Sequence, residues 1–249
     1  MPQSGYGSLN YKNDFLGAEI PVATAIGYGT SAGGCNYYLG EFKVTGKLAE
    51  TDAGVVSLAK TNGWVRLTGT NEDAEGVAVG TEVVYSPTLN GPLALEARVE
   101  TAALTARNLW VGFCDVNIDQ VIPPCTGTGT TITLTASDLC GFHFDSSLTD
   151  GADWHMVYNG GTTTGATTST DVDADDAAVA GESQVLRVEI DRNGTARWYI
   201  DGALKQTVTN AVSTTVLQAG YVGCFGTTTT ATSLDVDYIA IEANRDWTA

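Results

Sequence analysis

Hydrophobic and polar residues alternate over short stretches of this chain, and no stretch shows a sustained apolar repeat of 3.6 residues with helix caps. From Glu41 onward, short runs rich in β-branched and aromatic residues recur between turn signals. Many short strands with turns between them predict an all-β fold with little helix, an antiparallel β-sandwich or barrel. The predicted strands are residues 41–45, 54–58, 64–68, 81–85, 94–100, 109–113, 131–135, 140–144 and 154–158, with four or more strands after them.

The stretch 184–208 carries the strongest local pattern, because its apolar residues alternate with polar ones in two successive runs. A two-residue turn at Asn193 and Gly194 would pair Ile190 with Arg197, which sets a core face against a solvent face. A three-residue loop at 192–194 removes this conflict and leaves Gly194 for the left-handed position. The predicted cross-strand pairs are then Ile190 with Ala196, Val188 with Trp198, Leu186 with Ile200 and, on the outer face, Glu189 with Arg197.

A second turn is predicted at Asp201 and Gly202, so that residues 204–208 return as a third strand of a meander.

The composition is strongly acidic, with 12 Lys and Arg against 29 Asp and Glu and a net charge of −17. The negative electrostatic field of such a chain repels phosphate backbones and anionic lipids, which argues against nucleic acid and membrane surfaces as partners. A partner is expected to be neutral, cationic or reached through a metal ion.

The first 40 residues are rich in Gly, Tyr, Ser and Ala, which predicts an extended N-terminal arm or lead-in that packs on a neighbour. Residues 41–249 are then expected to form a single β-sandwich domain. The start at Met1 shows no basic or apolar signal region, and no run reaches the length of a membrane span. We therefore expect a soluble protein that is made in a cytoplasm.

The five cysteines are Cys35, Cys114, Cys125, Cys140 and Cys224, an odd number without close pairs. This pattern favours buried free thiols over a zinc site or a disulfide framework. A bridge between Cys125 and Cys140 stays open as the alternative.

Two long connections, at residues 115–130 and 159–181, interrupt the strand rhythm. Long connections on compact domains are usually functional surface or insertions, so contacts are expected there.

The second connection holds an acidic segment with calcium-loop spacing. Asp171, Asp173 and Asp175 supply oxygens at loop positions 1, 3 and 5, and Glu182 falls at position 12. The usual glycine at position 6 is replaced by Asp176, and a solvated acidic bulge is the competing interpretation. Calcium is thus the one cofactor that the sequence suggests.

Part of the chain resembles a known family. Residues 188–205 have the order strand, turn, aromatic strand and Asp-Gly, and residues 234–242 form a closing strand. Both segments resemble concanavalin A-like (laminin-G-like) jelly rolls. The resemblance covers about the last 70 residues well and implies the fold more than the function.

Glycoside hydrolases on this fold carry a Glu-x-Asp-x-x-Glu strand with its carboxylates in one cleft. The nearest string here begins at Glu189 and Asp191 and lacks the last Glu, and the hairpin places both carboxylates off the core face. Glu96 and Glu100 share one strand face, which fits a cleft or a solvated sheet. No catalytic residue is predicted.

The two histidines, His143 and His155, are each flanked by aromatic residues and are expected to be core residues rather than catalytic bases.

Exposed aromatics would point to sugar binding, since aromatic rings stack on sugar faces. Trp154, Tyr158 and Trp64 are the candidates, although alternating apolar strands favour core positions for Trp64 and Trp198.

The whole chain further resembles structural proteins of tailed-phage virions, in segments 86–91, 138–142 and 244–247. This resemblance implies a non-enzymatic, oligomeric decoration protein of a capsid, a trimer by preference, located in the virion with the major capsid protein as its partner. A carbohydrate-binding lectin-like module and a glycoside hydrolase or lyase are the two alternatives.

Overall fold

The computed structural model describes residues 7–16, 37–46, 54–69, 76–116, 122–227 and 230–245. Within these ranges the chain forms strands, one α-helical turn, α1 (Pro87–Asn90), and a 3-10 turn at Ser169–Asp171. The strands in chain order are β1 (Ser8–Asn13), β2 (Tyr37–Leu39), β3 (Phe42–Gly46), β4 (Gly54–Leu58), β5 (Trp64–Thr68), β6 (Gly76–Gly80), β7 (Leu93–Glu100), β8 (Asn108–Cys114), β9 (Cys125–Thr128), β10 (Thr131–Leu134), β11 (Leu139–Asp145), β12 (Asp153–Asn159), β13 (Asp173–Ala177), β14 (Ser183–Ile190), β15 (Ala196–Ile200), β16 (Ala203–Val208), β17 (Ala219–Phe225) and β18 (Ser233–Asn244).

Two antiparallel eight-stranded sheets make up the sandwich. Sheet 1 has the order β16-β15-β14-β7-β18-β5-β4, and β1 pairs with the second half of β18. Sheet 2 has the order β13-β12-β11-β8-β17-β6-β3-β2, and β9 and β10 form a separate hairpin. The all-β, antiparallel sandwich predicted from the alternating pattern is confirmed.

The main core lies between the two sheets, because every second residue of each strand points inward. Trp198 spans the layers, since its indole Nε1 donates to the Gly141 carbonyl of sheet 2 at 3.0 Å. Val188 and Trp198 are at most 1% exposed. This burial is the main source of the fold's stability.

The β14–β15 hairpin has the predicted register. Val188 pairs with Trp198, and Glu189 pairs with Arg197 on the outer face. The Asp191 N–H donates to the Thr195 carbonyl at 2.8 Å, and Gly194 has a φ of 77°. These bonds close the predicted three-residue loop.

The second turn of the meander is also confirmed. Asp201 and Gly202 have φ values of 50° and 80°, the left-handed pair of a tight hairpin, and β16 follows.

One predicted strand is displaced. The prediction of a strand at 81–85 is wrong, because the strand of this region is β6, whose ends are both glycines. A Cβ on Gly76 would lie 1.9 Å from the Cys224 carbonyl oxygen, and one on Gly80 would lie 2.2 Å from the Tyr221 Cβ. These glycines allow β17 to approach closely, whereas the sequence pattern treated them as turn signals.

Parts of the segment predicted as an arm belong to the sheets. β1 pairs along its whole length with β18, from Ser8 opposite Asn244 to Asn13 opposite Ile239. β2 pairs with β3 at the edge of sheet 2. These parts pair with other strands of the same chain, and residues 1–6 and 17–36 lie outside the described residues.

A second apolar cluster covers the outer face of sheet 2. Trp110, Tyr221 and Val157 point outward from their strands and are buried beneath the long connections. The β9–β10 hairpin supplies Ile132 to this cluster, and the second connection supplies Val172. The described parts of the two long connections thus form a lid over the centre of this sheet face.

The four cysteines within the described residues are buried free thiols, so the Cys125–Cys140 bridge is not formed. Burial raises the pKa of each thiol, to about 12 for Cys114 and Cys224, which keeps them protonated and unreactive. Cys35 lies outside the described residues.

Within the described ranges, no helix has the length and apolar character needed to span a bilayer.

Candidate functional site

The outer face of sheet 1 is the one broad sheet face that is not covered by other described parts of the chain. Strand alternation places charged and aromatic side chains there, opposite the core residues of the same strands. We call this set the charged face: Glu96, Arg98, Glu100, Arg187, Glu189, Arg197, Tyr199, Asp235, Tyr238 and Glu242.

Arg187 is the centre of the charged face, because its guanidinium lies among three carboxylates. Its Nε donates to Glu189 at 2.8 Å and its Nη1 donates to Glu96 at 3.4 Å. Its Nη2 is 3.5 Å from the Glu242 carboxylate. One cation thus links β14, β7 and β18 across the sheet.

Two tyrosines complete this network. The Tyr238 hydroxyl donates to Glu96 at 2.7 Å, and the Tyr199 hydroxyl donates to Glu189 at 3.3 Å. Burial and the adjacent carboxylates raise the pKa of both tyrosines, so both stay protonated as donors at neutral pH.

Trp64 lies at the far end of the charged face rather than in the core. The Lys60 Nζ is 4.7 Å from its ring centroid and the Arg98 guanidinium is 5.3 Å away. These two cations cover the indole, which is 5% exposed. Trp64 is therefore buried, as expected, although beneath two cationic side chains rather than between the sheets, and the ring is closed to a sugar.

The same end is tied together by ion pairs. Lys60 bonds Glu100 at 2.7 Å and Asp235 at 3.1 Å, and Arg66 bonds Asp235 at 2.6 Å. Glu96 and Glu100 do share one strand face, as the alternation predicted, but each has a separate set of partners.

A pocket of about 510 Å³ lies at the other end of the charged face. The start of β1 and the end of β18 form one wall, and Arg187, Glu189 and Asp191 form the other. Its size suits a small ligand, and its lining combines carboxylates with amides and a hydroxyl.

This arrangement favours binding over hydrolysis. A glycosidase needs two carboxyl groups that face a cleft as acid and nucleophile or base. Here Glu189 and Glu96 both bond Arg187, and Asp191 bonds the Arg197 Nη2 at 2.8 Å. Arg197 therefore pairs with Asp191 at the hairpin loop rather than with its cross-strand neighbour Glu189.

Both histidines are buried on the lidded face of sheet 2, as core residues. His143 and His155 are 0% exposed and lie opposite each other on β11 and β12. Burial, with His155 as a second cause, lowers the pKa of His143 to about 3. Contrary to the usual pattern for buried polar groups, their ring nitrogens make no hydrogen bond with the described residues, although the His155 Nε2 lies 3.2 Å from the Asp150 carboxylate.

The aromatic residues proposed for sugar stacking lie in or at the core. Trp154 is 2% exposed, packs edge-on against Phe142 and Phe144, and donates its Nε1 to Gln184 at 2.9 Å. Tyr158 is half-buried against Trp198, with ring centroids 6.0 Å apart. Stacking on Trp154 is therefore corrected, because inward-facing positions of β12 point into the sandwich.

The acidic segment forms an edge strand rather than a loop wrapped round an ion. Asp171 ends a 3-10 turn, and Asp173 and Asp175 lie on β13, which pairs with β12. The Asp173 carboxylate accepts the Asp175 N–H at 2.9 Å, and Asp176 pairs with Lys205 at 2.6 Å.

Glu182 follows this strand as an exposed residue. Across the described chain, no three His, Cys, Asp or Glu side chains are grouped to hold a metal ion. The predicted wrapped loop is wrong, and calcium binding itself stays a prediction that chelation and a melting curve would test.

An apolar surface lies at one end of the sandwich, where residues 84–88 run beside 214–218. The N–H groups of Val84 and Tyr85 both donate to the Gln218 carbonyl, at 3.1 and 3.0 Å. We call its exposed side chains the apolar ribbon: Val84 at 51%, Leu89 at 42%, Val216 at 37% and Leu217 at 47% exposure. Positions 83–95 and 206–234 contain no charged residue, although the chain carries a net charge of −17.

These features define a class of protein, an antiparallel jelly-roll β-sandwich of the concanavalin A-like type with one lidded and one open sheet face. Solved structures with this fold resemble the chain at low identity. A protein of unknown function from Shewanella oneidensis MR-1 superposes with a TM-score of 0.57 at 11% identity, covering 99% of this chain and 91% of that one.

Two further structures connect the fold to sugars. The carbohydrate recognition domain of Emp47p gives a TM-score of 0.52 at 8% identity, covering 83% of this chain and 90% of its own. A β-1,3-1,4-glucanase from a mouse hindgut metagenome gives a TM-score of 0.52 at 10% identity, covering 93% of this chain and 98% of its own. No family model and no curated protein sequence matches the chain. At these identities the likeness shows the fold alone.

Sequence reasoning missed the two tyrosines and the central arginine of the charged face. The alternation of 185–190 and 196–200 already put Arg187 and Tyr199 on the outer face. What the pattern lacked was the pairing of β14 with β7 and of β7 with β18, which brings residues far apart in sequence together.

Proposed function

We propose that this protein is a non-enzymatic structural protein that works by assembly, in the role of a capsid decoration protein of a virion. It acts as a homo-oligomer, with a trimer as the favoured form and the major capsid protein as its partner.

The observation that carries the proposal is the apolar ribbon. Four large apolar side chains stand exposed on an uncharged part of a strongly acidic protein. Copies of an acidic chain repel one another, so the uncharged surface is where a second copy or a capsid subunit approaches at least electrostatic cost. Clustered apolar exposure is typical of protein interfaces.

The contacts made by the carboxylates of the charged face support a role without catalysis. Glu96 and Glu189 are both engaged by Arg187 and by a tyrosine hydroxyl. The lid closes the opposite face of the sandwich, where it buries both histidines.

A turnover assay tests the enzymatic half of the proposal. The purified protein is incubated with β-1,3-1,4-glucan, laminarin and mucin glycans, and released reducing ends are measured. We expect no release above that of a Glu96→Gln variant. Release that this variant abolishes would establish a glycosidase and overturn the proposal.

Glycan binding is the second candidate, and the pocket of about 510 Å³ favours it. Asn10, Asn244 and the carboxylates of Glu189 and Glu242 offer the hydrogen bonds that sugar hydroxyls require.

A glycan array tests this candidate. Specific binding that Glu242→Ala abolishes and Glu182→Ala retains would support it, because Glu182 lies outside the pocket. Silence across the array would exclude it.

A further inference from the structure

A second pocket, of about 380 Å³, lies beside the β9–β10 hairpin on the lidded side of the sandwich. We call it the hairpin pocket. Its lining includes Asn108 at the start of β8, Gly127 and Thr128 of β9, Asp145 at the end of β11, and Ser147. Asn108, Gly127 and Asp145 are buried and form the floor, whereas Thr128 and Ser147 are exposed and form the rim.

The Asp145 carboxylate is buried in this floor without a cation. It is 1% exposed and accepts the N–H groups of Gly127 at 2.7 Å and Ser147 at 2.8 Å. In the described part of the chain, the one basic group within ion-pair range is His143, whose Nε2 is 3.8 Å away. Burial keeps that imidazole neutral by lowering its pKa to about 3.

Among the described residues, Asp145 consequently has no ion pair with a Lys or Arg side chain. Burial raises the pKa of Asp145 in spite of the two N–H donors, the Ser147 side chain and the nearby His155. A cation placed in the pocket would stabilise the ionised carboxylate directly.

Asn108 gives an independent sign of a missing ligand. It is 2% exposed, and its Nδ2 donates to the Cys125 carbonyl at 3.3 Å. Its Oδ1 is buried and has no hydrogen-bond partner among the described residues. A buried acceptor of this kind is costly unless a donor meets it, and the residue lines the pocket.

The polar groups of the pocket therefore lack a cationic donor. A carboxylate and an amide oxygen accept hydrogen bonds, hydroxyls accept or donate them, and none of the described residues that line the cavity is Lys, Arg or His. With one carboxylate and no cluster of acidic groups in the described residues, the pocket is a poor cage for a divalent ion. An ammonium group, with three N–H donors and one positive charge, matches the acceptors.

We propose that the hairpin pocket binds a primary alkylammonium group, which donates hydrogen bonds to the Asp145 carboxylate and to Asn108 Oδ1. The net charge of −17 raises the local concentration of such cations. This site is independent of the apolar ribbon and of the proposed role in a virion.

Calorimetric titration with three small probes tests the site. The probes are 1,5-diaminopentane, its bis(trimethylammonium) analogue, which has the same two charges without an N–H donor, and 1,5-pentanediol, which has neither charge nor N–H. We expect the diamine to bind one to one and to raise the melting temperature, with the bis(trimethylammonium) analogue at least tenfold weaker. Equal binding of the two cations would reduce the effect to general charge attraction and overturn the proposal.

A fourth probe, Nα-acetyl-lysine amide, distinguishes two sources of the ammonium group, a lysine side chain and a free amine. Binding as tight as that of the diamine means that the site accepts a lysine side chain. Much weaker binding limits the site to free amines, and in both cases the ammonium group is the ligand. Absence of binding by both amines contradicts the proposal.

Two variants with matched controls locate the binding. Asn108→Asp places a second carboxylate beside Asp145 and should tighten diamine binding about tenfold, whereas Asn62→Asp adds the same charge at an exposed turn and should not. Asp145→Asn should abolish binding, with exposed Glu182→Gln as the control for lost charge.

Should Asp145→Asn fail to fold, the Asn108→Asp result decides alone. Unchanged affinity in Asn108→Asp would overturn the assignment of the pocket.

Discussion

At the scale of single residues, the fold depends on buried polar groups that the alternating pattern did not predict. Asp138 is 2% exposed and accepts the Ser213 N–H at 2.9 Å and the Gln218 amide. It thereby fixes the 213–218 half of the apolar ribbon to β11. Burial raises the pKa of Asp138 to about 6 despite these bonds.

His143 gives a prediction about stability and pH. Its pKa falls from 6.5 to about 3 in the folded protein. Below pH 6.5 this imidazole therefore binds a proton in the unfolded chain but stays neutral in the folded protein. The unfolding free energy consequently falls as pH drops from 6.5 towards 3. At about 1.4 kcal/mol per pH unit, the loss at pH 5 is about 2 kcal/mol.

Asp138 acts in the opposite direction, because its raised pKa favours the folded state at low pH, and this contribution is lost as pH rises through 6. The His143 effect is thus measured as a difference, by urea unfolding of the unmodified protein and His143→Leu at pH 7 and pH 5. We expect the drop between these pH values to be about 2 kcal/mol smaller in the variant. Equal drops would contradict the assignment of a neutral buried histidine.

At the scale of elements, the β14–β15 hairpin shows how far sequence reasoning reaches. Core chemistry and Gly194 fixed its register and loop, because pairing partners only a few residues apart leave few alternatives. The displaced β6 shows the limit. Gly76 and Gly80 serve a close approach to β17, and a contact with a strand so distant in sequence leaves no local signal.

The candidate site was predicted only in part for the same reason. Glu96 and Glu189 were singled out from their strand faces, yet their engagement by Arg187 depends on sheet order. The lid was expected only as contact surface, since its apolar residues are scattered among Thr and Gly and show no period.

The hairpin loop yields a matched pair of substitutions. Gly194 and Gly202 have similar left-handed φ values, 77° and 80°. A Cβ on Gly202 meets nothing within 4 Å, whereas one on Gly194 lies 2.5 Å from the Val212 carbonyl oxygen. We expect Gly202→Ala to cost about 1–2 kcal/mol and Gly194→Ala about 2–4 kcal/mol in chemical unfolding. Equal costs would mean that the Val212 contact is not rigid.

At the scale of the whole molecule, a net charge of −17 is combined with two uncharged sequence segments that meet at the apolar ribbon. This asymmetry predicts that self-association uses the apolar ribbon and strengthens with added salt, because salt screens the repulsion between acidic copies and leaves the apolar contacts in place.

Light scattering after size exclusion measures the association. We expect about 78 kDa for a trimer, from a chain mass of 26.0 kDa. Leu217→Ser should reduce the mass to that of one chain. Leu204→Ser, an equally exposed leucine on the edge strand β16, should leave it unchanged. A monomeric unmodified protein, or dissociation by Leu204→Ser alone, would place the interface elsewhere.

Co-sedimentation with capsids tests whether this protein assembles on a virion. Capsids purified from a lysate of the source culture are mixed with the purified protein at physiological salt and pelleted. We expect saturable binding at a fixed ratio to the major capsid protein, weakened by Leu217→Ser and retained by Leu204→Ser. Protein that stays in the supernatant at every concentration would contradict it.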